Sequence, residues 1–296
     1  MKSRLSEIRR ARPLLGTLVE IRIGGRREEI LHRAASQAFK AIEKVHRLMS
    51  FHEPESDISK LNRSAYRNAV RIDPWTYHVL KTGHHISEKT GGLFDCTVAP
   101  LLMWGGFLPA LYSSSENLKT NSFRNIRFLS SHRIRFEKPL TVDLGGIAKG
   151  FAVDKAVQVL KENNIAYGAV NAGGDLSIFG NRKQPIYIRH PLFPGRFLFL
   201  GNKTEISIAT SAGYYSNKNI GGKWVAPIVN RKLGSFCESQ SSVSVLASSC
   251  MTADALTKAV MLSESDQLFF LKHFSAKAVL CKPENIPLQK GYSFAA

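Results

Sequence analysis

Two periods of apolar residues run through the chain, and between them they mark out most of its elements. Residues 17–23 alternate apolar and polar positions and run into Gly24-Gly25, which predicts a half-buried strand ending in a turn. From 28 to 49 the residues Ile30, Leu31, Ala34, Ala35, Ala38, Phe39, Ile42 and Val45 fall on one helical stripe. Residues 56–62 read as a short helix capped by Ser56, with Ile58 and Leu61 turned inward. Residues 74–90 form another helix, stopped by Gly91-Gly92. The period then breaks at Pro100, Gly105-Gly106, Pro109 and Ser113-Ser114-Ser115, so this middle section is irregular. Further on, strands are expected at 134–142, 169–179 (kinked at Gly173-Gly174), 186–189, 197–200, 205–209, 242–247 and 278–281, and helices at 150–163 and 251–262.

Strands and helices are mixed without regular alternation. This predicts an α+β fold rather than a doubly wound Rossmann sheet. With no internal repeat and no long linker, residues 1–296 read as a single domain of two lobes.

Composition is ordinary for a globular protein, but charge is not: 41 Lys and Arg against 23 Asp and Glu give +18. Such a surface suits anionic partners. The charge is scattered, and only Arg9, Arg10, Arg12, Arg26 and Arg27 resemble a run. A basic stripe interleaved with aromatics is missing, which argues against a nucleic-acid module. The cysteines Cys96, Cys237, Cys250 and Cys281 lack the close spacing of zinc or redox motifs and read as buried small hydrophobes. No apolar run is long enough to span a membrane, and no signal peptide or lipidation motif is seen, so a cytoplasmic location is expected unless a leader has been removed.

Two segments carry chemistry. In Asp143-Leu144-Gly145-Gly146-Ile147-Ala148-Lys149-Gly150, two glycines bare the backbone before a helix, and Lys149 adds a positive charge. Amides at such a helix start can face an anion, although the same pattern serves as an ordinary connection. A second Gly-Gly follows in Val170-Asn171-Ala172-Gly173-Gly174-Asp175. In the segment 253–259, Asp254, Thr257 and Lys258 share one helical face. Carboxylate and hydroxyl oxygens are ligands that Mg²⁺ prefers. The same residues also describe a plain helix start, capped by Thr252, with an Asp254–Lys258 surface pair.

The order of several such segments resembles the ApbE family, the flavin transferases that cleave FAD and attach FMN to Thr or Ser of a target protein. The resemblance runs from about Pro13 to Cys281. It is carried by Leu15-Gly16-Thr17, the Phe51–Asn62 segment, Gly91-Gly92-Leu93-Phe94-Asp95, the Asp143–Gly150 and Val170–Asp175 segments, Ile208-Ala209-Thr210-Ser211, Ser242-Val243-Ser244-Val245 and Ala253-Asp254-Ala255-Leu256. It implies FAD contacts at Leu15, His52, Leu93, Phe94, Asp95, Asp143, Lys149 and Val229. It implies Mg²⁺ ligands at Gly146, Asp254 and Thr257, with Asp254 catalytic. Mg²⁺ would then bridge the pyrophosphate and stabilise AMP as it leaves. The implied partners are FAD and a protein to be flavinylated on Thr or Ser.

The chain departs from the family pattern at three places. Lys258 stands where Thr is usual, and a protonated lysine cannot ligate a metal. Either the site loses one ligand, or the Lys258 ammonium takes part of the cation's place. Pro227 and Asn230, in Ala226-Pro227-Ile228-Val229-Asn230, replace a usual His and Asp. His52 replaces a common Tyr. These changes leave four readings: a flavin transferase, an FAD-binding protein without transfer, an FAD pyrophosphatase, and a basic nucleic-acid-binding module suggested by charge alone. His190 is expected to be structural, the adjacent His84-His85 cannot share one helix face, and Tyr214-Tyr215 are expected to pack.

Overall fold

A computed structural model describes residues 6–112, 121–191, 193, 195–213, 216–238, 241–263 and 267–281. The Ser113-Ser114-Ser115 run and Tyr214-Tyr215 lie outside these described residues.

The chain opens with a strand the sequence pattern did not announce. β1 (Ser6–Leu14) pairs antiparallel with β2 (Thr17–Gly25). It is the edge strand of its sheet and buries Ile8, while Arg10 and Arg12 take the following positions of the same face and bond to Ser36 and Glu43, so no apolar alternation stands out. The run Arg9, Arg10, Arg12 is therefore strand and not a loose basic arm. α1 (Glu28–Met49) buries the expected stripe. α2 (Asp57–Ser64) is capped by Ser56, whose side chain accepts from Ser59 N–H. β3 (Val70–Arg71) leads into α3 (Pro74–Lys89), which Asp73 caps through Trp75 N–H. A short α4 (Ala99–Trp104) forms in the section read as irregular.

β4 (Ile126–Leu129) and β5 (Arg133–Phe136) make a small sheet with β3. The strand expected over 134–142 stops at Phe136. Beyond it the backbone is held by side chains instead of a ladder: Val142 N–H donates to Asn62 Oδ1 at 2.8 Å, and Asn62 Nδ2 donates back to Val142 O at 3.0 Å. α5 (Ala148–Glu162) follows. Residues 169–179 prove to be two strands, β6 (Tyr167–Ala172) and β7 (Asp175–Gly180), because Gly173 and Gly174 reverse the chain at φ 63° and 104°. Two consecutive left-handed residues suit a tight hairpin, and glycine adopts them without a Cβ clash.

β8 (Gln184–Arg189) and β9 (Phe197–Lys203) form a separate ribbon. β10 (Ile206–Ala212) returns to the main sheet. β11 (Lys218–Ile220), β12 (Lys223–Asn230) and β13 (Ser235–Cys237) make a three-stranded sheet, and β14 (Ser242–Ala247) rejoins the main one. α6 (Cys250–Leu262), α7 (Gln267–His273) and β15 (Lys277–Cys281) complete the described chain. α6 is capped by Ser249, not by Thr252.

The main sheet has seven strands in the order β1-β2-β6-β7-β10-β14-β15, with every neighbouring pair antiparallel. This is the expected α+β arrangement, not a parallel Rossmann sheet. Alternate residues face opposite sides. Ile21, Val170, Phe179 and Val245 join the large core with α1, α5 and α6, while Ala169, Ile178 and Ile208 form a second cluster with Ile186 of β8. Among the described residues no helix is long and apolar enough to cross a membrane.

Candidate active site

One end of the main sheet gathers the glycine turns. β2 and β6 pair Val19 with Ala172, so the Leu15-Gly16 turn and the Gly173-Gly174 turn emerge side by side. Leu15 itself sits at φ 55° and is partly buried against the core. A Cβ on Gly173 would stand 2.5 Å from Thr17 Oγ1, so one turn packs directly on the other. β10 brings Thr210 to the same end opposite Ser244, and their hydroxyls bond at 2.7 Å.

Two helices meet over this end. A Cβ on Gly150 would lie 2.3 Å from Cys250 O, so α5 and the start of α6 touch backbone to backbone. Asp154 of α5 accepts from Cys250 N–H at 2.8 Å and Met251 N–H at 2.9 Å. A carboxylate thus satisfies two free amides at the α6 N-terminus, where negative charge is favoured. This junction buries Asp254 completely, with Oδ2 accepting from Gly150 N–H at 3.1 Å.

Asp254 is the centre of a charged cluster. Lys258, one turn on, bonds Asp254 Oδ1 and also donates to Asp254 O at 2.9 Å. Lys149 Nζ donates to Asp175 Oδ2 at 2.6 Å and lies 3.6 Å from Asp254 Oδ2. Burial works to raise the Asp254 pKa, but the Lys149 and Lys258 ammonium groups outweigh it and hold the carboxyl below its usual range. Asp175 moves the other way, up to about 6, because burial and the Asp254 charge outweigh Lys149. Thr257 Oγ1 donates to Asp254 O at 2.7 Å and shares a 2.7 Å bond with Ser211 Oγ.

Beside this cluster opens a cleft of about 330 Å³. Leu93, Phe94, Asp95, Asp143, Gly146, Lys149 and Val229 all line it, as do Pro227 and Lys258. Seven of the residues proposed from sequence as ligand contacts therefore converge from three separate segments. His52 is exposed; burial raises the Asp143 carboxyl pKa, and His52 is near enough to oppose that rise in part. Asp254 and Thr257 do not line the cleft; Asp254 is buried behind its wall, bonded to Lys258 and 3.6 Å from Lys149.

Asp95 turns its carboxylate away from solvent. Oδ1 accepts from Thr97 N–H and Oγ1, and Oδ2 lies 3.7 Å from Arg231 Nε. Arg231 is buried and also donates to the carbonyls of Thr97 and Asn121. The Asp95–Arg231 pair braces the 93–97 turn against the end of β12. Sequence reading missed Arg231, because it looked like one more scattered surface cation. The altered loop is a strand end. Pro227 falls where the β12–β13 register shifts between Ala226 and Val229, so its missing N–H leaves the ladder intact. Asn230 Oδ1 accepts from Leu233 N–H at 3.2 Å, which holds the turn to β13 with a neutral amide.

The profile of the ApbE family matches residues 15–280. The chain belongs to the ApbE family. Among its relatives is an FAD:protein FMN transferase of Treponema pallidum, 28% identical over 60% of this chain and 53% of its own. Another, from Vibrio cholerae, is 27% identical over 75% of this chain and 71% of its own. The chain thus spans about half the length of the Treponema relative. The crystal structure of the ApbE protein from Thermotoga maritima superposes with a TM-score of 0.81 at 25% identity, covering 93% of this chain and 94% of that one. The flavin transferase ApbE from Vibrio cholerae gives 0.78 at 23% identity, with 94% of each chain covered.

The Mg²⁺ site expected of an ApbE protein does not fit the residues present. Both carboxylate oxygens and the carbonyl of Asp254 already accept from Lys258 or Gly150, and Thr257 is bonded to Asp254 O and Ser211. Among the described residues no three His, Cys, Asp or Glu side chains form a metal-holding group. A dication placed ~4 Å from one ammonium would be repelled by about 8 kcal/mol at an effective dielectric near 20, twice the unit-charge value.

Proposed function

We propose that this chain transfers FMN from FAD to a Thr or Ser hydroxyl of a target protein, releasing AMP. The observation that carries the reading is the cleft itself. Apolar residues from the 93–102 segment and from β12 line it together with Lys149 and Lys258. A flavin ring suits the apolar residues and a pyrophosphate the two ammonium groups. The names of the relatives, FAD:protein FMN transferase, support the same reaction.

In the reaction the acceptor oxygen bonds to the FMN phosphorus, and the bond from that phosphorus to the bridging oxygen breaks. AMP leaves with the electron pair. Lys149 and Lys258 offset the charge that builds on the phosphates, as fixed cations do in phosphoryl transfer. Asp254 and Asp175 position the two lysines. The family's usual histidine is absent at Pro227, so the acceptor proton needs another base. Asp143 lines the cleft and is the base within reach of it; burial raises its carboxyl pKa, against the opposing Gly145 amide.

Incubation with FAD and a Thr-bearing acceptor peptide is expected to add the mass of one FMN to the peptide and release one AMP. Pro227 favours one rival, a protein that binds FAD without transferring it. Bound FAD with neither peptide adduct nor AMP would establish that rival, and AMP released without any acceptor would identify a pyrophosphatase.

A further inference from the structure

The contact between Lys258 and Asp254 has a consequence for the cation of this site. Lys258 bonds both the side chain and the carbonyl of Asp254, so two of its three ammonium protons are used. The third has no partner among the described residues. The lysine stem crosses Gly146: a Cβ built there would stand 3.5 Å from Lys258 Cε, and Lys258 lines the cleft. Lys149 lies on the opposite oxygen of the same carboxylate. A positive charge is therefore built into the chain between Asp254 and the cleft.

We propose that the Lys258 ammonium is the resident cation of this site, standing beside Asp254 in place of a divalent metal and binding the ligand's pyrophosphate directly. The idea rests on the FAD reading for its ligand, but its cation half stands on the Asp254 contacts alone. Binding of the anionic ligand is then independent of divalent metal. Replacing the lysine by an oxygen-bearing side chain frees Asp254 Oδ1 and creates a metal requirement.

Mn²⁺ alone, followed by electron paramagnetic resonance, tests the cation half without flavin. The wild type is expected to bind no stoichiometric Mn²⁺, while Lys258→Thr or Lys258→Gln takes up one ion. Thermal melting checks that both variants fold, and the second keeps most of the length of the side chain if the first does not. FAD titration by flavin fluorescence then tests the ligand half. Wild-type affinity is expected to be the same in EDTA and in Mg²⁺, and the Thr variant to lose about tenfold in EDTA, as when a charge-assisted bond is removed. One Mn²⁺ bound by the wild type, wild-type FAD affinity that collapses in EDTA, or folded variants that still exclude Mn²⁺ would each overturn the proposal. FAD that binds in neither medium would overturn the transferase reading instead, and the Mn²⁺ result would still decide the role of Lys258.

Discussion

At the scale of single residues, a motif letter names a side chain without fixing its partner. Asp95 sits in a segment that resembles a flavin contact, yet its carboxylate is spent on Thr97 and Arg231 inside the protein. Burial raises its pKa, against the lowering influence of Arg231. Desolvating two charges makes such a pair a poor source of net stability, but removing one partner strands the other. Arg231→Ala is therefore expected to lower unfolding free energy by about 3–5 kcal/mol, measured by urea denaturation. The double variant Asp95→Asn, Arg231→Met is expected to lose less than the sum of the two single changes. An additive result would mean that the two side chains are not coupled.

At the scale of elements, legibility followed the strength of the apolar period. α1 and α3 bury continuous stripes or carry clear caps, and both were legible from pattern alone. β1 was not, because Arg10 and Arg12 follow Ile8 on its inner face and break the apolar alternation. β11 to β13 were missed for a related reason: Trp224 is exposed, and Pro227 reads as a break until the bulge accommodates it. The candidate site was legible as a set of segments, but Arg231 and the capping role of Asp154 were not, since each acts on an element distant in sequence. Asp154 also gives the α5–α6 junction a pH dependence. Burial raises its carboxyl pKa to about 6 against the two α6 amides, while the unfolded value is near 3.8. The native state therefore holds this proton more tightly, and the stability contributed by the protonated form falls as pH rises from about 4 through 6. The melting temperature of the wild type is expected to fall across that window more steeply than that of Asp154→Asn. Parallel profiles would show that Asp154 is already ionised throughout.

At the scale of the molecule, the +18 charge acts through its field on the cleft. The N-terminal arginines are largely occupied within the fold: Arg9 pairs with Glu20, Arg12 with Glu43, and Arg10 donates to His32 O and Ser36. The cleft carries the Lys149 and Lys258 ammonium groups beside the Asp95 and Asp143 carboxylates, so long-range attraction comes from the net +18 of the whole chain. A phosphate-bearing ligand is then drawn in at long range, and salt weakens that attraction as the screening length falls to about 10 Å at 0.1 M and ~3 Å at 1 M. The association rate of FAD is expected to fall about tenfold between roughly 0.02 and 0.5 M salt, measured by stopped-flow fluorescence, with a much smaller change in dissociation rate. Riboflavin, which has the ring without the phosphates, supplies the control: its association rate should be flat over the same range. Equal salt dependence for the two ligands would mean that the field acts on something other than the pyrophosphate. A flat response for both would leave only the close contacts of Lys149 and Lys258 to recruit FAD.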